Sequence, residues 1–184
     1  MSRDNKTSYL IMGMLSHEPM TGYDIKRRME LAIRYFWNAG YGQIYPTLAQ
    51  LEKKGLISPK KAKSSNNRGS RMFAITNKGR TVLKKWLAAP VEGEPVRYEI
   101  LLKLFFSSLI PPGKTIRALE KFLEDHEKNA EAMKAFEKNL LDHLDENIDH
   151  RYYLATVRFG ARVYEAYCRW ARETIDDLER LRRG

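Results

Sequence analysis

Between Leu56 and Ile75 the apolar residues stop recurring every three or four positions and begin to alternate. In LISPKKAK, residues 56–63, Pro59 and three lysines fit a short, exposed edge strand, since proline cannot donate to a central ladder and lysine discourages pairing with another chain. In RMFAI, residues 71–75, Phe73 and Ile75 alternate as in a half-buried strand. SSNNRGS, residues 64–70, has turn composition. A two-stranded hairpin is therefore predicted amid helical segments, and few small folds place one there.

Three helices precede the hairpin. The first has Leu10, Ile11, Met14 and Leu15 as its apolar face, with Thr7 placed to cap it, and it stops before HEP at 17–19. The second opens at TGYD, where Thr21 as N-cap and Asp24 three residues on form a variant of the capping box. Ile25, Met29 and Ala32 make its inner face, and Gly22 permits a neighbour to approach closely. Tyr35, Phe36 and Trp37 lead into YGQIYPTLAQLEKKGLI, residues 41–57. Ile44, Leu48 and Leu51 stand at i, i+4 and i+7, one buried stripe. Gln43, Pro46, Gln50 and Lys53 lie opposite, on a face nearly free of acid. Pro46 falls in the first turn, where a missing N–H is tolerated, and Gly55 ends the helix. After the hairpin, Thr76 caps a fourth helix holding Val82, Leu83, Trp86 and Leu87.

Helix, helix, helix, hairpin, helix is the order of a winged helix-turn-helix, whose third helix enters the DNA major groove. On that reading glutamine bonds base edges, Thr and Tyr hydroxyls bond phosphates, and lysine neutralises one. The expected recognition residues are Tyr41, Gln43, Tyr45, Thr47, Gln50 and Lys53. The expected wing residues are Lys60, Lys61, Lys63, Arg68 and Arg71, along phosphates or into a minor groove. An ordinary solvated helix face and a merely charged loop are the bland alternatives.

Charge agrees with the polyanion. Residues 1–89 hold 17 Lys and Arg against 5 Asp and Glu, whereas residues 90–184 hold 16 against 18, so the whole net charge of +10 originates in the N-terminal half. Such a patch attracts a polyanion.

The remainder of the chain reads as helix. Residues 90–97, with two prolines and a glycine, are the expected linker between a winged-helix domain over 1–89 and a helical dimerisation domain over 98–184, in a mainly α protein. A short apolar helix spans 98–109, and PPG at 111–113 breaks it. A helix of about 30 residues follows, with a coiled-coil-like seam of Ile116, Leu119, Leu123, Ala130, Met133, Leu140 and Leu144, and His126 falls on that seam. After a polar break at 145–149, a last helix carries Val157, Tyr164, Cys168, Ala171, Ile175 and Leu178, with Tyr167 beside them. Phe36, Trp37, Phe105, Tyr153, Tyr164 and Trp170 are candidates to line an effector cavity between the domains, although aromatics at helical spacing are more often plain core.

Chemistry is poorly provided for. His17, His126, His143 and His150 form no HExxH or comparable ligand spacing, and the carboxylates of 120–149 alternate with lysines as on a solvated face. Cys168 has no partner motif, so it reads as a small hydrophobe. No glycine-rich phosphate loop occurs. No cofactor, metal or catalytic constellation is expected, and an enzyme is the least supported reading. With no apolar run of membrane length, no signal peptide and one cysteine, a cytoplasmic protein is expected.

HEPMTGYDI, FWNAGYGQIYPTLAQLEKKGLI, RMFAITNKG and RYEILLKLFF, in that order, resemble the PadR family of transcriptional regulators, in particular its longer subfamily with an extended helical C-terminal region. RFGARVYEAYCRW resembles the last helix of the family more loosely. The resemblance implies a homodimeric winged-helix repressor of double-stranded DNA, with C-terminal helices in the dimer interface. In some members it implies release by a small aromatic or lipophilic effector. The other class compatible with these residues is a winged-helix protein-interaction or RNA-binding module without an operator.

Overall fold

The computed structural model describes residues 3–37, 41–60, 71–93 and 97–183. The chain divides into two compact units, Met1–Gly93 and Glu94–Gly184, and the division falls inside segment 90–97.

In the N-terminal unit, α1 (Arg3–His17) is followed by β1 (Met20–Thr21), α2 (Gly22–Arg28), a π-helical turn (Met29–Ile33), a 3-10 turn (Tyr41–Gln43) and α3 (Ile44–Lys53). Then come β2 (Ile57–Lys60), β3 (Met72–Ile75) and α4 (Asn77–Leu87). α1 begins four residues before the expected cap. Thr7 does not cap it but lies buried inside it, because position 7 is i−4 to Ile11 and so shares the apolar stripe. The capping box of α2 is complete. The Asp24 N–H donates to Thr21 Oγ1 at 3.1 Å and the Thr21 N–H donates to Asp24 Oδ2 at 3.0 Å.

β2 and β3 pair antiparallel, Ile57 opposite Ile75 and Lys60 opposite Met72. The hairpin gains a strand that the sequence did not reveal. β1 pairs with β3, Met20 opposite Phe73, giving the order β1-β3-β2. A two-residue strand has no periodicity to read, and its only signal is the partner it meets. β2 keeps its free edge on Pro59. Phe73 and Ile75 point inward to a core of Ile11, Met12, Leu15, Ile25, Met29, Ile44, Leu48 and Leu51.

One junction fixes α3 against α4. Gly55 ends α3 in the left-handed region, φ 67°, and the Leu56 N–H closes back on the Leu51 carbonyl at 2.9 Å, a helix stop that favours glycine. Thr76 Oγ1 donates to the Gly55 carbonyl at 2.8 Å and accepts from the Gly79 N–H at 3.0 Å, capping α4. Gly79 lies so close that an added Cβ would sit 2.1 Å from the Leu56 carbonyl oxygen.

The C-terminal unit holds α5 (Glu99–Phe105), a 3-10 turn (Ser107–Leu109), α6 (Pro112–Asp142) and α7 (Asp149–Arg183). α6 and α7 pack along each other through Leu119, Ala130 and Met133 on one side and Leu154, Ala161, Cys168 and Ala171 on the other. Gly160 allows the approach, since a Cβ there would lie 3.0 Å from Met133 Sδ. Leu144 falls in the turn after α6 rather than on the seam, because the helix ends at Asp142. No helix among the described residues is long and apolar enough to cross a membrane.

Candidate nucleic-acid interface

Ile44, Leu48 and Leu51 anchor α3 in the core, each at most 2% exposed. That orients the rest of the helix. Gln43, Pro46, Gln50 and Lys53 stand exposed on the outer side, as their spacing requires. Thr47 does not join them. It is 7% exposed, because it stands at i+3 from Ile44 and i−4 from Leu51 and so belongs to the buried stripe. Its hydroxyl is withdrawn from any ligand on the outer face.

Tyr45 occupies a flank between the two faces, 62% exposed. Its ring lies over Gly22, where an added Cβ would be 2.7 Å from Tyr45 Cε1. Ala49 and Glu52 continue that flank at spacings of four and three. Together with Thr21, Tyr23, Arg71 and Phe73 they line a groove of about 330 Å³ between α3, the start of α2 and β3.

The wing residues divide. Lys60, at the end of β2, is exposed. Arg71, just before β3, is not a free cation. Its Nη2 donates to Glu52 Oε1 at 2.7 Å and its guanidinium lies 5.4 Å from the Phe73 ring centre. Lys61, Lys63 and Arg68 lie outside the described residues, as does the side chain of Tyr41. Glu52 was missed as a candidate because the sequence shows an acid on a basic face but not the guanidinium 19 positions on that meets it.

The expected effector residues are divided between the two units, and within the C-terminal unit they fall into separate groups. Phe36 and Trp37 belong to the N-terminal unit, Trp37 half-buried against its core and Phe36 exposed. In the C-terminal unit Phe105 rests edge-on against Phe106, at 5.1 Å, and is 82% exposed. Tyr153 lies beside His150, 6.3 Å between centres. Tyr164, three helical turns further along α7 or about 16 Å, joins a different group with Trp170. There His126 stacks on Phe122 at 3.9 Å, with Tyr167 edge-on at 5.0 Å and Tyr164 at 5.7 Å. Trp170 meets Phe122 edge-on at 5.7 Å. His126 Nδ1 donates to the Phe122 carbonyl at 2.7 Å.

The Tyr98 and Tyr167 hydroxyls share a hydrogen bond of 2.8 Å. Burial first, and the Tyr98 hydrogen bond second, push the Tyr167 phenol well above its ordinary range, so it stays neutral. Burial likewise raises the Cys168 thiol, which stays protonated, 4% exposed between α6 and α7. Among the described residues no group of three or more His, Cys, Asp or Glu is placed to hold a metal ion.

A basic three-helix unit, a small sheet ending in a hairpin, and a helix with a polar outer face define a winged-helix protein. Residues 11–85 match the transcriptional regulator PadR-like family, and residues 96–179 match the virulence activator alpha C-terminal family. The N-terminal unit is thus that of a PadR-like transcriptional regulator, and the C-terminal unit matches the helical extension. The chain is 32% identical over 104 residues to the negative transcriptional regulator PadR of Bacillus subtilis, a match covering 55% of this chain and 57% of that protein. The chain thus spans little more than half the length of this relative. The structure of Bacillus subtilis PadR in complex with operator DNA superimposes with a TM-score of 0.78 at 22% identity, covering 94% of this chain and 98% of the other. PadR in complex with p-coumaric acid gives 0.74 at 22%, covering 97% and 98%. The Vibrio cholerae virulence activator AphA gives 0.75 at 25%, covering 95% and 98%. These relatives are transcriptional regulators, not enzymes.

Proposed function

We propose that this protein binds double-stranded DNA sequence-specifically, as a cytoplasmic homodimeric repressor. One observation carries the reading. The outer face of α3, Gln43, Pro46, Gln50 and Lys53, is exposed and acid-free while Ile44, Leu48 and Leu51 hold the helix rigidly from behind. Glutamines on such a face suit adenine edges, and Lys53 suits a phosphate. Lys60, Lys61, Lys63, Arg68 and Arg71 supply the wing. The repressor sign follows the negative regulator it resembles, while the likeness to a virulence activator makes activation the outcome to test against. A two-fold dimer presents two such helices, so the site is roughly palindromic with half-sites about 10 bp apart or a multiple of that.

A small aromatic or lipophilic effector belongs to the same reading. It is supported by the aromatic group around His126 and by the p-coumaric acid complex of Bacillus subtilis PadR. Such a ligand acts only if it binds the DNA-competent state and the released state unequally.

Selection of bound duplexes from random DNA, followed by salt titration, tests the core of the proposal. If six to ten phosphates are contacted, affinity falls roughly 10³- to 10⁵-fold between 50 and 200 mM salt. A nearly flat salt dependence would sink it. Screening aromatic acids and lipophilic cations by thermal shift and then by operator release tests the effector. Ligands that raise Tm without changing operator affinity remove its regulatory role.

A further inference from the structure

Glu52 is the one acid of α3, on a helix whose neighbourhood is otherwise basic. A carboxylate beside a DNA backbone repels it, so its presence calls for a compensating cation. Arg71 is that cation, its Nη2 at 2.7 Å from Glu52 Oε1. The pair contributes little to folding. The Arg71 side chain is 65% exposed and that of Glu52 27%, and exposed pairs are worth about 0–1 kcal/mol.

The geometry does something else. Arg71 is the last residue of the β2–β3 connection before β3 begins, and Glu52 is on α3, so the contact ties the base of the wing to the recognition helix. Phe73, two residues on, lies against the guanidinium at 5.4 Å and limits it from another direction. The contact uses one donor nitrogen, and a guanidinium has five N–H groups in a fixed fork. Among the described residues Arg71 makes no further hydrogen bond, so toward them its remaining donors stay available in one restricted orientation.

We propose that Glu52 is a positioning residue for DNA discrimination, acting through Arg71, an inference that rests on the DNA-binding reading above. A loose arginine at the base of a wing meets a phosphate in any register and helps every sequence alike. An arginine held by Glu52 meets a phosphate only when α3 is seated in its own register, so its contact adds to operator binding and not to random binding. Glu52 also cancels the charge that would otherwise strengthen non-specific association.

The test uses the full chain and four proteins: parent, Glu52→Gln, Arg71→Ala and the double variant. Affinity is measured for the selected operator and for scrambled duplex across a salt series, with a thermal melt of each. Arg71→Ala is expected to lower the operator salt slope by about one. Glu52→Gln is expected to lower the operator-to-scrambled ratio at least about fivefold, chiefly by tightening scrambled binding, with Tm nearly unchanged. In the Arg71→Ala background Glu52→Gln should leave that ratio where Arg71→Ala put it. A merely structural pair would move Tm and leave the ratio alone, and that result overturns the inference. So does an equal effect of Glu52→Gln with and without Arg71. A parent that discriminates while Glu52→Gln discriminates equally well overturns this inference alone; a parent that binds no duplex overturns the DNA-binding reading with it.

Discussion

The two units are nearly equal in length and opposite in how they use apolar residues. Among the described residues the N-terminal unit buries 14 hydrophobic side chains and leaves 7 large ones exposed. The C-terminal unit buries 8, three of them alanine, and exposes 14. The first is a closed core made by layering four helices and a sheet. The second is two long helices that can cover only one side of each other. A folded domain rarely leaves so much apolar surface facing water without a use for it. Phe105, Phe106 and Leu109 mark the largest imbalance, at 82%, 55% and 82% exposed. The difference teaches that the proposed reading unit closes its own core within one chain, whereas the helical unit leaves an apolar surface that the proposed homodimer would cover.

Phe105→Ser is the strongest way to break that contrast. If the exposed end of α5 is covered in a dimer, each protomer loses about 1.5–3 kcal/mol and a two-fold interface loses about 3–6. Sedimentation should show monomers at concentrations where the parent is dimeric. An unchanged association constant would place the interface elsewhere.

Leu48→Ala attacks the closed core instead. It should cost about 2–5 kcal/mol in denaturant unfolding of the N-terminal unit, with operator binding lost alongside. A loss below 1 kcal/mol would mean that this core can collapse around the gap.

Gln50→Ala sharpens the contrast within α3, between its held and its free face. Stability should stay within about 0.5 kcal/mol. Operator binding should weaken by about 1–3 kcal/mol, with preference relaxed at one base pair. Equal loss on operator and scrambled DNA would assign Gln50 to the backbone rather than to a base.

The smallest effect is expected at His143, just past the end of α6. Its ring donates to the Asn139 carbonyl at 2.8 Å, and that bond first, with nearby Glu146 second, holds its pKa above the ordinary 6.5. A raised folded pKa stabilises the protein fully below the unfolded value and fades as pH rises through the folded one. His143→Gln should therefore remove a slight fall in Tm between pH 5.5 and 8, and a parent Tm flat over that range would show no such linkage.

Much of this was legible in the sequence where a period or a cap carries it. Ile44, Leu48 and Leu51 fixed the inner face of α3 by spacing, and Thr21 with Asp24 announced the start of α2. Thr47 obeys the same rule, since its spacing from Ile44 and Leu51 places it inside despite its polarity. β1 was not legible, because pairing with β3 is a long-range event. The Arg71–Glu52 contact was hidden for the same reason. Tyr153 and Tyr164 look like neighbours in an aromatic-rich helix, yet three turns of rise separate them.

The contact between Gly79 and the Leu56 carbonyl has a mechanical consequence. α4 is the last element of its unit before segment 90–97, and it meets the end of α3 with no slack for even one methyl group. A torque applied to the chain beyond Leu87 cannot be absorbed there by a sliding side chain. Within this unit a displacement of α4 therefore carries with it the end of α3, the helix that holds Gln50.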